Sequence, residues 1–145
     1  MEKTEKKLIA AFVKLAEPLA RLSFFMIYFW FGVLKILSIS PVTDLARDVF
    51  ASTVGNFIDF PTFYAFFTLF EILIGILFLF PKLTKVTFIL FSLHMVSTLL
   101  PLIILPEITW SGFGVLTFTG QEIVKNIGLI ALAMFLLKAN KDSPY

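Results

Sequence analysis

Four long apolar stretches, with breaks between them, constrain this chain more than any other feature. They lie near residues 20–37, 61–80, 86–105 and 121–137. A bilayer core about 30 Å thick requires roughly 20 apolar residues per helix. Runs of this length do not alternate between apolar and polar residues as the strands of a lipid-facing barrel do. The sequence therefore predicts an all-α, polytopic membrane protein, a bundle of four transmembrane helices.

The composition excludes a water-soluble globule and several kinds of chemistry. Of 145 residues, 59% are hydrophobic and only 15% are charged, whereas soluble proteins have about 25% charged residues. The chain has no Cys and a single His, His94, so we expect no haem, Fe–S cluster, zinc or other metal site. No phosphate-binding loop or nucleophile elbow is present. We treat residues 1–145 as one membrane domain.

Lysine and arginine are concentrated on one side of the predicted bundle. They precede or open the first span, fill the turn between the second and third, and follow the fourth: Lys3, Lys6, Lys7, Lys14, Arg21, Lys82, Lys85, Lys138 and Lys141. Arg47 is the one basic residue clearly in a loop on the other side. Cytoplasmic flanks are enriched in Lys and Arg, so both termini are predicted to be cytoplasmic. The basic residues face lipid headgroups, and nucleic-acid binding is not expected.

Three segments outside the spans carry patterns of their own. Before the first span, large apolar residues recur at helical spacing between lysines; they are Leu8, Phe12, Leu15 and Leu19. This is typical of an amphipathic helix at the inner headgroups, broken or bent near Pro18, or of a plain basic flank. Residues 41–55 predict a short amphipathic helix on the outer face. Residues 106–120, with interfacial aromatics and turn glycines, predict a lid or a tether.

Polar and small residues recur on one face of each span. They are Arg21, Tyr28, Gly32 and Lys35 in the first span, Tyr64, Thr68, Glu71 and Gly75 in the second, Thr87, His94, Ser97, Thr98 and Pro101 in the third, and Gln121, Glu122, Lys125, Asn126 and Gly128 in the fourth. Such residues mark the faces through which membrane helices associate. The pattern predicts one shared polar interior. Its candidate ligand-binding residues are Tyr28, Lys35, Glu71, His94, Glu122, Lys125 and Asn126.

The rise of an α-helix, about 1.5 Å per residue, predicts the depth of each ionisable group. Glu71 and His94 both fall close to the midplane and form a predicted pair. Lys35, Lys125 and Glu122 fall in a second layer, roughly 6 to 8 Å below the outer surface. An ionised group at the bilayer centre costs about 2.5 to 3.5 kcal/mol, so Glu71 is expected to be protonated, paired or hydrated. The alternative is a purely structural role, with Glu122 and Lys125 neutralising each other.

Three stretches resemble the motif regions of DoxX-like small membrane proteins: FWFGVLK in the first span, FEILIGILFLF in the second and TGQEIVKNIGLIALAMF in the fourth. They are similar in particular to the branch containing reactive chlorine resistance protein C, in which Gly-x-x-Lys ends the first span and Gly-x-x-x-x-Lys-[Asn/Asp] opens the last. The chain departs from that pattern in the third span and at Gln121, where the family has Arg.

The resemblance implies a four-helix bundle in a prokaryotic cytoplasmic membrane. Members of the family are linked to thiosulfate and quinone oxidation or to the oxidative stress response. Lys35, Glu71 and Lys125 match the family's recurrent polar residues, but no catalytic role transfers with them.

Three functions fit these residues. The first is an accessory membrane subunit whose buried polar site binds a small lipid-phase ligand, a quinone or a lipid. Because no side chain here carries electrons, it would be at most the membrane subunit of a quinone-linked oxidoreductase with a partner redox protein. The second is a scaffold that holds another membrane protein. A homo-oligomer is left open as a further partner arrangement. The third is a small-solute or proton-coupled transporter, since intramembrane ionisable residues often mark such pathways.

Overall fold

Seven α-helices and one β-hairpin make up residues 2–141, the part of the chain that the computed structural model describes, with side chains for residues 4–140. In chain order the elements are α1 (Glu2–Ile36), α2 (Thr43–Thr53), α3 (Phe60–Phe78), a 3-10 turn (Pro81–Leu83), α4 (Thr84–Leu99), α5 (Pro101–Ile104), α6 (Pro106–Thr109), β1 (Trp110–Gly112), β2 (Val115–Leu116) and α7 (Phe118–Lys141). Residues 1 and 142–145 lie outside the described part of the chain. So do the side chains of Lys3 and Lys141, two of the basic residues that the sequence predicts on the cytoplasmic side.

Within the described residues, three helical segments are long and apolar enough to cross a membrane. They are Thr4–Ile36, Phe60–Phe78 and Pro81–Ile104. These segments confirm the prediction of a mainly helical membrane protein. The helix α7 covers the fourth predicted span and has 24 residues, but it is not one of the three. The number of spans and the direction of the chain through the bilayer stay predictions.

The first helix is continuous through Pro18, so of the two predicted forms, a break or a bend at this residue, the break is wrong. α1 has 35 residues, which corresponds to about 52 Å. A proline inside a helix removes one N–H and crowds the preceding turn. Pro18 is exposed, so no neighbouring element prevents the backbone from accommodating it. The helix ends before Ser38, whose φ of 57° lies in the left-handed region where helices commonly terminate.

α1 and α3 form a close helix pair, and two glycines permit the approach. A Cβ atom on Gly75 would lie 3.0 Å from Tyr28 Cβ and 3.1 Å from Phe29 N. A Cβ atom on Gly32 would lie 2.3 Å from Cγ1 of Ile72. Small residues let membrane helices pack backbone to backbone. This contact brings the polar face of α1 against the polar face of α3.

Arg21 fastens α1 to the turn between α3 and α4. Its Nη1 donates to the carbonyl of Phe78 at 3.2 Å and to Thr84 Oγ1 at 3.0 Å, and its Nη2 donates to Glu17 at 2.7 Å. Phe78 is the last residue of α3, and the final carbonyls of a helix have no partner within it. This member of the predicted polar face therefore has a structural role at one end of the bundle.

The short helix predicted after the first span is present as α2. Its Phe50 is buried and packs against the rings of Phe60 and Phe63 of α3, with centroid distances of 5.4 and 5.1 Å. The hydroxyls of Thr43 and Tyr64 lie 2.8 Å apart. α2 is therefore held against the first turns of α3 by aromatic packing and one hydrogen bond.

The segment predicted as a lid or a tether contains the one departure from an all-helical fold in the described chain. β1 and β2 pair antiparallel, with Trp110 opposite Leu116 and Gly112 opposite Val115. Gly114 in the turn has a φ of +72°, a conformation that glycine adopts without steric cost. None of residues 106–117 lines the polar cavity described below. The hairpin, together with α6, connects α5 to α7.

Asp59 caps the first turn of α3 and gives it a testable pH dependence. Its carboxylate accepts from the Thr62 N–H and the Thr62 hydroxyl, at 2.9 Å each, and these bonds hold the pKa of the Asp59 carboxyl below its ordinary value of 3.8. A lowered folded-state pKa means that the stabilisation is complete above the unfolded-state value and is lost as the pH falls through the folded-state value. We therefore expect exchange of the Thr62 amide hydrogen, corrected for intrinsic rates, to accelerate below pH 3.8.

The matched control is Asp59→Asn, because Asn also caps helices but does not titrate. Its corrected exchange rate is expected to stay level over the same range. Identical pH profiles for the two proteins would contradict a capping carboxylate at this position.

Candidate polar ligand site

Four buried polar side chains from three helices form one connected network. Lys35 Nζ of α1 donates to Glu71 Oε2 of α3, and Glu71 Oε1 lies 3.1 Å from His94 Nε2 of α4. The second ring nitrogen, Nδ1 of His94, lies 3.3 Å from the hydroxyl of Tyr28. Each of the four residues is at most 7% exposed. The contact predicted between Glu71 and His94 is present, and Lys35 and Tyr28 extend it on both sides.

The hydrogen-bonding capacity of each group determines how the network is arranged. A carboxylate only accepts and an ammonium only donates, so Glu71 accepts from Lys35 on one oxygen and from the Nε2–H of His94 on the other. Nδ1 faces two hydroxyls, those of Tyr28 and Thr98, at 3.3 Å each. We assign the tautomer with the proton on Nε2, in which Nδ1 accepts from the Tyr28 hydroxyl; Lys35 and Glu71 then contribute one positive and one negative charge. A paired set of this kind is how membrane interiors accommodate ionised groups.

An aromatic ring and a hydroxyl hold the imidazole in place. Phe67 stacks on the His94 ring at 5.0 Å between centroids, and the same Phe67 ring lies 5.0 Å from Lys35 Nζ. Thr98 Oγ1 lies 3.3 Å from Nδ1 of the His94 ring and donates to the His94 carbonyl at 3.0 Å. Sequence reasoning missed Phe67, although it lies four residues before Glu71 and such residues share a helix face. That spacing was the signal that could have identified it.

A cavity of about 560 Å³ opens directly onto the network. Its walls are mostly apolar and include Phe31, Phe63 and Phe67, while α2 contributes Leu45, Ala46 and Val49. Small-molecule sites are typically apolar clefts of about 300 to 1,000 Å³ with a few polar groups that orient the ligand. The cavity has the size and the distribution of polarity of such a site.

The cavity is open to the surface of the bundle. Phe31 of α1 and Phe118 of α7 both line it, and both are exposed. Asn126 of α7 also lines it, and within the described part of the chain its side-chain amide has no hydrogen-bond partner. The wall of the cavity therefore carries exposed aromatic rings and one unpaired amide in addition to the network.

Three predicted site residues do not belong to the network: Asn126, which lines the cavity, and the pair Glu122 and Lys125. Lys125 pairs with Glu122 on its own helix, and their side chains are 68% and 49% exposed. Glu122 lies at the rim of the cavity, whereas Lys125 does not line it. The predicted second layer of Lys35, Lys125 and Glu122 is therefore wrong. The alternative, in which Glu122 and Lys125 neutralise each other, describes this pair.

Lys35 lies deeper than predicted because α1 ends part of the way along α3. Glu71 is the twelfth residue of α3, which begins at Phe60. About 16 Å of helix therefore separates Glu71 from Phe60. Lys35 lies one residue before the end of α1, yet it contacts Glu71. The carboxyl end of α1 therefore lies well below the amino end of α3, and α2 occupies the space above it.

A second cavity, of about 600 Å³, lies between α1 and the turn after α3, beside Glu17 and Arg21. It lacks the features of the first, because the Arg21 guanidinium is already bonded to Glu17, Phe78 and Thr84. Among the described residues, no group of three or more His, Cys, Asp or Glu side chains is placed to hold a metal ion.

Comparison with known proteins adds no relative. No protein-family model, curated protein or solved structure matches this chain.

Proposed function

We propose that this protein is a DoxX-like integral membrane protein whose buried polar cavity binds a small lipid-phase ligand, with a quinone as the class that fits best. The observation that carries the proposal is that the network of Lys35, Glu71, His94 and Tyr28 lines an otherwise mostly apolar cavity of about 560 Å³. A ligand for such a cavity has a flat or flexible apolar body and a head that exchanges hydrogen bonds.

A quinone satisfies both requirements. Its ring suits a space walled by Phe31, Phe63 and Phe67, and its carbonyl oxygens accept hydrogen bonds. An ammonium has three donors, and Lys35 uses one of them on Glu71, while the amide of Asn126, which also lines the cavity, supplies a further donor. Reduction to the quinol takes up two electrons and two protons; the network is a proton source within reach, and the electrons come from a partner redox protein.

The proposal includes the arrangement of the chain in a prokaryotic cytoplasmic membrane. α7 is the fourth span, since its 24 residues are enough to cross a hydrocarbon core of about 30 Å. Both termini are cytoplasmic, as the distribution of Lys and Arg indicates. In this arrangement a ligand dissolved in lipid enters the cavity sideways, from the bilayer.

The test uses the protein in lipid nanodiscs and a short-chain benzoquinone as the probe, with binding measured by quenching of tryptophan fluorescence. Tyr28→Phe and Glu71→Gln are expected to weaken binding by up to about tenfold each, because a hydrogen bond contributes about 0.5 to 1.5 kcal/mol. Tyr28→Phe removes one oxygen and keeps the ring, so it stays informative if Glu71→Gln does not fold. The control is Glu107→Gln, a carboxyl that is exposed and does not line the cavity.

Extraction and mass spectrometry of the native protein provide the second arm. We expect a quinone or another lipid-phase compound in stoichiometric amount. Absence of any such compound, together with no saturable quenching in the wild type, would contradict a ligand site. The scaffold alternative predicts instead a recurrent stoichiometric protein partner whose binding does not change in Tyr28→Phe. The transporter alternative predicts a solute flux that is lost in Glu71→Gln.

A further inference from the structure

Lys35 is the only lysine with a buried side chain among those whose side chains the structure describes. It is 6% exposed, and the others are exposed. Its Nζ donates to Glu71 and lies 5.0 Å from the centroid of the Phe67 ring, and all three residues line the cavity. Lysines in hydrophobic pockets are the ones that act as nucleophiles and form Schiff bases with carbonyl compounds. Lys35 therefore has the surroundings of a nucleophile as well as those of a hydrogen-bond donor.

The hydrogen bonds at Nζ match a protonated imine better than a free ammonium. An ammonium carries three N–H donors, and within the described residues only one of them has a partner, the Glu71 carboxylate. A buried donor without a partner destabilises the folded state. A protonated imine carries a single N–H, which the same carboxylate accepts. Its positive charge stays beside Glu71 and over the ring of Phe67.

Glu71 is placed to take the proton that Lys35 loses before it reacts. The reactive form of a lysine is the neutral amine. The two groups are in direct contact, so a proton that passes from Nζ to the carboxylate leaves a neutral amine beside a neutral carboxylic acid. The net charge of the pair is unchanged, and neutral groups avoid the desolvation cost of ions in an apolar interior. The pair therefore supplies a nucleophile without moving a charge into the membrane.

We propose that Lys35 captures lipid-phase aldehydes as a protonated Schiff base, with Glu71 as its counter-ion. The neutral amine attacks the aldehyde carbon and forms a carbon–nitrogen bond. The carbonyl oxygen leaves as water with the two amine hydrogens, and the proton held by Glu71 moves to the imine nitrogen. The step transfers no electrons, and hydrolysis by one water molecule reverses it.

The cavity determines which aldehydes reach Lys35. Its walls are mostly apolar and include the rings of Phe31, Phe63 and Phe67, so the aldehyde is carried on an apolar chain that dissolves in the bilayer. A small, water-soluble aldehyde gains little from such walls. The inference shares the cavity with the proposed quinone site, but it does not require a quinone.

The test uses the protein in lipid nanodiscs, an aldehyde probe and sodium cyanoborohydride, which reduces a protonated imine to a stable secondary amine. Peptide mass spectrometry then measures the adduct at each lysine. Lys35 is expected to carry at least about ten times more adduct than Lys125, because a bound carbonyl is held beside the amine. Lys125 is the internal control, since it also pairs with a carboxylate but is 68% exposed. Equal labelling of the two lysines, or no adduct at Lys35, would overturn the proposal.

Two probes distinguish the sources of such an aldehyde. Hexadecanal represents the fragments of oxidised acyl chains, and farnesal represents isoprenoid aldehydes. The probe with the higher yield at Lys35 identifies the class that the cavity accepts. Hexadecanol has the chain of the first probe but no carbonyl, so an excess of it is expected to lower the yield at Lys35 and to leave Lys125 unaffected. An unchanged yield at Lys35 would place the reaction outside the cavity and overturn the proposal.

Tyr28→Phe separates this inference from the quinone proposal. The Tyr28 hydroxyl bonds to His94, and Lys35 bonds to Glu71, so the variant is expected to weaken benzoquinone binding and to leave the yield of aldehyde adduct unchanged. An adduct at Lys35 in a protein that does not bind benzoquinone would remove the quinone proposal alone. Benzoquinone binding without an adduct at Lys35 would overturn this inference alone.

Discussion

Lys35→Met is expected to lower the free energy of unfolding by about 3 to 5 kcal/mol. The substitution removes the ammonium but keeps most of the side-chain volume. Lys35 and Glu71 are both buried, and Lys35 donates directly to the carboxylate, so the variant leaves Glu71 with only its contact to His94. A buried charge without its partner keeps its desolvation cost and loses the attraction that offset it. Reversible unfolding in mixed micelles, or steric trapping in bicelles, measures the difference.

Two controls separate this effect from a general loss of a lysine. Lys125→Met removes a lysine from an exposed pair with Glu122, and such pairs contribute about 0 to 1 kcal/mol. The double variant with Lys35→Met and Glu71→Gln removes both charges and keeps an amide oxygen that accepts from His94. It is expected to recover much of the stability lost in Lys35→Met. Equal losses for Lys35→Met and Lys125→Met would contradict a buried ion pair.

Phe24→Ala is expected to be the most costly apolar substitution, with a loss of about 3 kcal/mol. Phe24 is 0% exposed, and its ring stacks on Phe78 at 3.9 Å and meets Phe91 edge-on at 5.3 Å. Lipid is as apolar as this core, so transfer from water adds little in a membrane. The loss comes from the van der Waals contacts that the alanine leaves unmade, which places it at the lower end of the range for buried Phe.

Phe66→Ala is the matched control, since Phe66 also lies on a spanning helix but is 71% exposed. It is expected to change the unfolding free energy by less than about 0.5 kcal/mol. A smaller loss for Phe24→Ala than for Phe66→Ala would contradict the position of the aromatic core between α1, α3 and α4.

The sequence predicts the polar faces of the first three helices well, because helical periodicity alone determines which residues share a side. Tyr28 and Lys35 are seven residues apart, and Glu71 and His94 fall at similar depths in their spans. In a membrane, polar residues of spanning helices are buried mainly where they contact polar residues of a neighbouring helix. The contact between Glu71 and His94 follows from these two constraints.

The misplaced residues are those that depend on how helices are offset and rotated relative to one another. Lys35 joins Glu71 because α1 ends far below the start of α3, and nothing in the periodicity of either helix encodes that offset. Lys125 shares a helix with Asn126, yet one lies outside the bundle and the other lines the cavity. Because adjacent residues differ by about 100° around a helix, a small error in the predicted rotation of α7 exchanges them.

The central claim is that ionisable side chains of separate helices meet in one protein-lined space. Because the chain contains a single His, solid-state NMR of the protein in lipid bilayers tests it without ambiguity, with ¹⁵N in histidine and ¹³C in the glutamate carboxyl. A strong dipolar coupling to Nε2 is expected, since His94 Nε2 and Glu71 Oε1 are 3.1 Å apart, and it should vanish in Glu71→Gln. An imidazole that shows no coupling to any glutamate carboxyl would contradict the account.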